Sequence, residues 1–316
     1  MKIAPKIILS FLLTAGIIVT GSDSFSRNVK SETGFLYNLS DFSGDIPYTF
    51  VKISLDKRNG ELYVIDKGGI SIFNKRGMKL YSFGEDGTYG RVIDVVSADN
   101  GSIFLLRYEK SEFSLLKCNF RGEKERVIKV TGLPDSFYRF RPHRVVMRGG
   151  RFYLADLGSL MVVVIDLEGG YLKGYDLAPL VGVPENERDE NNLTGFDVDE
   201  EGNILFTISV LFRAFKLSPY GSIKSFGQPG NIPGKFSIVA GITSDGKGNI
   251  LVVDKLKCVV MVFDEETFAF KREFGNRGLA PGELIAPSDL VVDDSGKVYV
   301  TQGRRRGVSV YRLNLD

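Results

Sequence analysis

A single histidine, His143, stands beside an arginine, Arg144, just ahead of the apolar run Val145–Met147. When the repeating acidic turns of the chain are aligned, Arg144 falls level with Lys52, Asp94, Gly195, Gly241 and Asp289. Arg144 rather than His143 takes the aligned place, because that register keeps Val145 and Met147 on buried faces. Two cations and two anions at equivalent points of a repeat admit two readings. In one, Lys52, Asp94, His143, Arg144 and Asp289 form a polar site for a small molecule; in the other, the charges pair at a rim, where exposed pairs contribute little. A Ca²⁺ site is not expected, since that ion takes about six oxygens or more.

Other chemistries are missing their parts. One histidine cannot build a three-histidine zinc site. No Gly-x-Ser-x-Gly elbow is present to carry a nucleophilic serine. No cofactor is predicted. The residues therefore lead to an expectation of a non-catalytic binding scaffold, with a small-molecule enzyme working at the polar ring as the alternative.

A second candidate surface is basic. It consists of Arg304, Arg305 and Arg306 with Lys255 and Lys257, joined by Lys67, Arg107, Lys110, Arg139 and Arg141. Arginine clusters suit carboxylates and phosphates through paired hydrogen bonds. The expected partner is another secreted or envelope protein, docked on the face formed by these loops. An acidic polysaccharide is the second choice, and a scattered, solvated surface the bland reading. Nucleic acid is not expected, because aromatic residues for base stacking are not interleaved with the arginine run. Between 179 and 192 an acidic, Pro-containing loop with Glu185, Glu187, Asp189 and Glu190 around Arg188 is expected to be a partner contact or a mobile flap.

The elements that must position these residues repeat. Phe226-Gly227-Gln228-Pro229-Gly230-Asn231-Ile232-Pro233-Gly234 returns as Phe274-Gly275-Asn276-Arg277-Gly278-Leu279-Ala280-Pro281-Gly282. A Gly/Pro-rich turn recurring every 45–50 residues or so is the mark of a repeat architecture. Asp245-Gly246-Lys247-Gly248-Asn249, set between apolar runs, is a hairpin signal in which glycine supplies positive φ. Six such units of four short strands predict an all-β, six-bladed propeller. Blades two and three carry the weakest pattern. The last blade is one strand short, and Gly34–Leu39 has the pattern to complete it, removing two open edges.

The phrase Phe-Gly-x-x-Gly-x-x-Pro-Gly, followed by Asp-x-x-Gly-Asn-x-x-x-Val-x-Asp, resembles the NHL-repeat family of six-bladed propellers. The chain departs from it at Lys255-Leu256-Lys257-Cys258-Val259, where the family usually has Asn-x-Arg-Val. The resemblance implies the scaffold and no particular ligand, since similar propellers bind proteins, RNA or small molecules. Amidating-lyase-like relatives use His-ligated zinc and lactonase-like propellers an Asn-rich metal site; neither set is present here.

Lys2 and Lys6 precede the apolar stretch Ile7–Val19 and the small polar segment Thr20–Ser26. That is the make-up of a secretory signal, and the stretch is short of the roughly 20 residues that span a bilayer. Residues 1–26 are assigned to a signal peptide, 27–33 to a short linker and 34–316 to the propeller, giving an exported protein with no membrane span in its mature chain. An uncleaved anchor is the alternative. Loss of the two lysines takes the formal charge from +2 to about zero, which removes bulk attraction to polyanions such as nucleic acid. The repeats leave no room for an appended domain. Cys118 and Cys258, the two cysteines, sit in apolar runs and are read as core thiols.

Overall fold

The computed structural model describes residues 33–39, 52–66, 69–303 and 307–313. Its strands form six four-stranded antiparallel sheets, the blades of a propeller. β1 (Thr33–Asn38) is followed by blade one, β2 (Lys52–Asp56), β3 (Glu61–Asp66), β4 (Gly69–Phe73) and β5 (Lys79–Phe83). Blade two holds β6 (Arg91–Ser97), β7 (Ile103–Glu109), β8 (Glu112–Cys118) and β9 (Lys124–Ile128). Blade three holds β10 (Arg144–Arg148), β11 (Arg151–Asp156), β12 (Met161–Ile165) and β13 (Tyr171–Asp176). Blade four holds β14 (Leu193–Val198), β15 (Ile204–Ile208), β16 (Arg213–Leu217) and β17 (Ile223–Phe226). Blade five holds β18 (Val239–Ser244), β19 (Asn249–Asp254), β20 (Val259–Asp264) and β21 (Phe270–Phe274). Blade six holds β22 (Leu290–Val292), β23 (Lys297–Thr301) and β24 (Val308–Leu313), with β1 as its outer strand. Blades two and three, weakest in sequence, are complete.

The strands are apolar on both faces because each blade is covered on both sides. Along β19, Ile250 and Val252 pack toward blade four, while Leu251 and Val253 pack toward blade six. β3 divides in the same way, with Leu62 and Val64 on one side and Tyr63 and Ile65 on the other. This is the period-two alternation of a strand, with both sets buried. The acidic turns close the inner hairpins. In blade five, Asp245 Oδ1 accepts the N–H groups of Lys247 (2.8 Å) and Asn249 (3.0 Å), and Gly246 and Gly248 lie at φ +66 and +86.

The ring is closed by hydrogen bonds as well as packing. β1 pairs antiparallel with β24, from Thr33 opposite Leu313 to Asn38 opposite Ser309. Leu39 extends the pairing, its N–H reaching Val308 O at 2.9 Å, and its side chain is fully buried between blades six and one. Leu39→Ala is therefore expected to lower the unfolding free energy by about 3 kcal/mol, the loss of a buried side chain plus the cavity it leaves. Urea denaturation measures this; no shift would mean that the N-terminal strand does not hold the ring.

Cys118 and Cys258 are free, buried thiols in blades two and five. Burial raises the Cys118 thiol to a pKa of about 11, with Glu125 adding to the effect, which keeps it protonated and unreactive. Among the described residues, no helix is long and apolar enough to cross a membrane.

Candidate active site at the channel mouth

The innermost strands enter the channel at Lys52, Asp94, Arg144 and Asp289, and the structure brings these four together. Arg144 Nε lies 3.2 Å from Asp94 Oδ2, and Arg144 NH1 donates to Asp289 Oδ2. Blades three and six are opposite members of the ring, so Arg144 spans the channel. Both carboxylates also receive backbone N–H groups, Asp94 those of Val95 (3.1 Å) and Val145 (2.9 Å), Asp289 that of Leu290 (3.0 Å). Burial works against the Arg144 charge, but Asp289 and Asp94 outweigh it and hold the guanidinium pKa above its ordinary value.

The reading of loose ion pairs at a rim is thereby corrected. Asp94 and Asp289 are buried, and the network is desolvated. Gly195 and Gly241 show why it is lopsided. A Cβ at Gly195 would lie 2.2 Å from Ala240 O, and one at Gly241 would lie 2.7 Å from Asp289 Cα. Blades four and five press too closely there to present side chains. At the network lies a cavity of about 80 Å³, lined by Asp94 and Arg144 themselves together with Ile53, Val145, Asp197 and Thr243. That is space for a few waters, at about 30 Å³ each. The four charges form a floor rather than a pocket.

His143 sits on this floor. Its N–H donates to Ala155 O (2.8 Å), and its carbonyl accepts the Lys52 ammonium at 2.7 Å. Burial pushes Lys52 below the ordinary lysine value, with Asp94 acting the other way. His143 Nδ1 is buried and lies 3.5 Å from Asp156 Oδ1, an ion-pair distance without hydrogen-bond geometry, while the side chain as a whole is 46% exposed. The exposure therefore falls on the other edge of the imidazole, the edge that bears Nε2. Asp156 ends β11 and accepts the N–H groups of Arg141 (2.7 Å), Gly158 (3.1 Å) and Ser159 (3.2 Å). Burial alone would raise its pKa; His143, Ser159 and the Arg141 amide outweigh that and hold the carboxyl below the usual range. Imidazole is the side chain best suited to exchange a proton near neutrality. A carboxylate near one ring nitrogen favours the proton on that side and leaves the other nitrogen facing outward.

Sequence reasoning placed His143 one residue from the aligned position and missed Asp156. The signal existed: Asp156 holds the strand-ending place of Asp254, which caps the Ser237 amide at 2.6 Å and the Leu256 and Lys257 amides at 3.0 and 2.9 Å. Only blade three sets a histidine against that repeated aspartate.

The described residues of the basic face divide between committed and exposed groups. The Lys257 ammonium is committed to Ile232 O (3.1 Å), Lys235 O (3.3 Å) and Glu273 (3.0 Å). Lys255 is exposed. Arg107 is buried and held by Tyr89 O, Ser114 and Glu109. Lys67 and Arg304, Arg305 and Arg306 lie outside the described residues. The acidic loop is an ordered structure rather than an open flap, with α1 (Leu177–Leu180) and a 3₁₀ segment (Glu185–Glu190). Arg188 pins it, reaching both Asp176 oxygens at 2.8 Å and Ser159 O at 2.8 Å. At the opposite end of the blades Asp199, Glu201 and Glu265 converge, and Lys216 supplies their counter-charge, 3.1 Å from Asp199 and 2.8 Å from Glu265.

No protein-family model matches the chain. Solved structures share its fold at low identity. A streptogramin B lyase matches with TM-score 0.55 and 14% identity over 89% of this chain and 98% of its own. A catalytically inactive His-to-Ala form of virginiamycin B lyase from Staphylococcus aureus, with quinupristin, matches with TM-score 0.54 and 10% identity over 83% and 80%. A protein of unknown function from Bacteroides thetaiotaomicron gives TM-score 0.65 and 12% identity over 89% and 76%.

These neighbours overturn the expectation of a non-catalytic scaffold and of a protein that is not an enzyme. Lyases are built on this propeller, and one of them is inactive once a histidine is replaced. The sequence argument against catalysis asked for a metal cluster or a nucleophilic triad. General acid–base catalysis needs neither, and histidine is the side chain that serves it most often.

Proposed function

We propose that this propeller is a small-molecule enzyme of the lyase class, working at the channel mouth with His143 as its proton-transfer residue. The observation that carries the reading is the half-exposed imidazole of the only histidine, its Nδ1 3.5 Å from buried Asp156 and its backbone carbonyl held by Lys52 of the channel ring. In the reaction, His143 Nε2 takes a proton from a carbon acidified by a neighbouring carbonyl. The C–H electron pair becomes a C=C bond as the C–O bond one carbon further breaks, and its pair leaves with the oxygen. Lys52, held against the His143 carbonyl, supplies positive charge or a proton to that oxygen. The likeness to lyases of the same fold supports this class, and the fold leaves the substrate open. We read the recurring Phe-Gly-x-x-Gly-x-x-Pro-Gly turns as NHL-type repeats and residues 1–26 as an export signal.

The test is cleavage in heavy-oxygen water. Purified protein is incubated with esters and lactones whose alcohol carbon adjoins a carbon next to a carbonyl, quinupristin among them, and products are read by mass spectrometry. Cleavage without heavy-oxygen uptake is the expected result. Uptake of one heavy oxygen would mean hydrolysis and sink the lyase class; inertness toward the whole panel would sink the reading.

A further inference from the structure

A groove of about 640 Å³ lies on blade two and the segment that leads from it to blade three. That lies within the range of roughly 300–1,000 Å³ typical of small-molecule sites. Phe113, Val127, Val130 and Leu133 give it an apolar wall, and Lys110 and Arg141 stand among its polar residues. The wall runs on to the histidine. Phe113 packs against Tyr108 (ring centroids 6.3 Å apart), and Tyr108 donates its hydroxyl to Pro142 O, next to His143. Asp156 joins the two places, accepting the Arg141 amide at 2.7 Å while backing His143 Nδ1 at 3.5 Å.

The charges do not cancel. Glu109 is engaged by Arg107 at 2.9 Å, and Glu112 faces Lys129 at 3.9 Å. Among the described residues, the Arg141 guanidinium makes hydrogen bonds only to the carbonyls of Phe140 and Tyr138. Neither it nor Lys110 is within ion-pair distance of a carboxylate among the described residues. Two uncompensated cations beside an apolar wall complement a molecule with a carboxylate, sulfonate or similar anion at one end and a hydrocarbon or aromatic body.

We infer that this groove binds amphipathic organic anions. The groove places its apolar wall against the body of the ligand and Arg141 with Lys110 against the anion. The inference rests on the catalytic reading only in naming that ligand a substrate; as a binding site the groove stands without it.

Anilinonaphthalene sulfonate and its uncharged counterpart N-phenylnaphthylamine differ in the anion and share the aromatic body. Fluorescence titration of the wild-type protein is expected to show the sulfonate binding about tenfold tighter, the worth of a charge-assisted hydrogen bond. Arg141→Ala with Lys110→Ala should erase that difference and leave the neutral dye unchanged. Val127→Asp, on an exposed position of the wall, should weaken both dyes. Equal affinity for the two dyes, or sulfonate binding untouched by the double variant, overturns the inference. His143→Ala keeps the sulfonate bound; turnover of the ester panel by wild type without groove binding would separate failure of this inference from failure of the lyase reading.

Discussion

Arg144→Met is expected to lower the unfolding free energy by about 3–5 kcal/mol, because it leaves two buried carboxylates without their counter-charge. Asp94 and Asp289 are 2% and 9% exposed, and the few waters that the adjoining cavity can hold are a poor substitute for the guanidinium. The remedy for an unpaired buried anion is neutralisation. The triple variant Arg144→Met/Asp94→Asn/Asp289→Asn should recover most of the loss, since amides still accept the Val145 and Leu290 N–H groups at little desolvation cost. Urea denaturation of the single and triple variants decides the matter. Equal stability of Arg144→Met and wild type would show that the charges are solvated after all. A triple variant no better than the single one would assign the loss to packing around the guanidinium.

His143→Ala should reduce turnover by about 10²–10⁴-fold, the usual contribution of a positioned acid–base group. Its side chain is half exposed, so unfolding free energy should move by no more than about 0.5 kcal/mol. Activity surviving in the variant would remove the histidine from the chemistry. Asp156→Asn gives a companion measurement with a defined sign. The folded carboxyl is held below its unfolded value of about 3.9, so its stabilising contribution is fully present above that value and fades as pH falls through the lowered one. The stability difference between wild type and Asp156→Asn should therefore be flat from neutrality down to about pH 4 and shrink only below it. A difference that shrank between pH 5 and 8 would place another group in control.

Much of the architecture is legible from residue types because it follows local rules. Glycine at positive φ after an acidic turn, and strands apolar on both faces, specify a blade wherever they occur. The closing strand could be read from Gly34 to Leu39 because a blade short of one strand demands a partner. Lys52, Asp94, Arg144 and Asp289 were placed at equivalent points of the repeat by the same logic. Their burial was not legible. It depends on how closely inner strands approach across the ring, which Gly195 and Gly241 permit and no periodicity encodes. Asp156 was hidden for a different reason: its capping role recurs in blade five, so its type and position look structural. The apposition of His143 comes from the loop before β10, whose course is set by Phe137 and Phe140 packing between blades two and three. The case against catalysis failed at the same point, because it counted complete ligand sets and overlooked a pair formed by a loop and a strand end.

The pairing of β1 with β24 also sets a clock. During synthesis β1 emerges first and waits for a partner some 270 residues later, a delay on the order of tens of seconds. Without that pairing β24 has an open strand edge and the ring is joined by packing alone. A chain cut short anywhere before Val308 forfeits the join itself along with its last blade. Loss of β24 is thus a fault of the whole ring, because one short strand carries both the last blade and the join to the first.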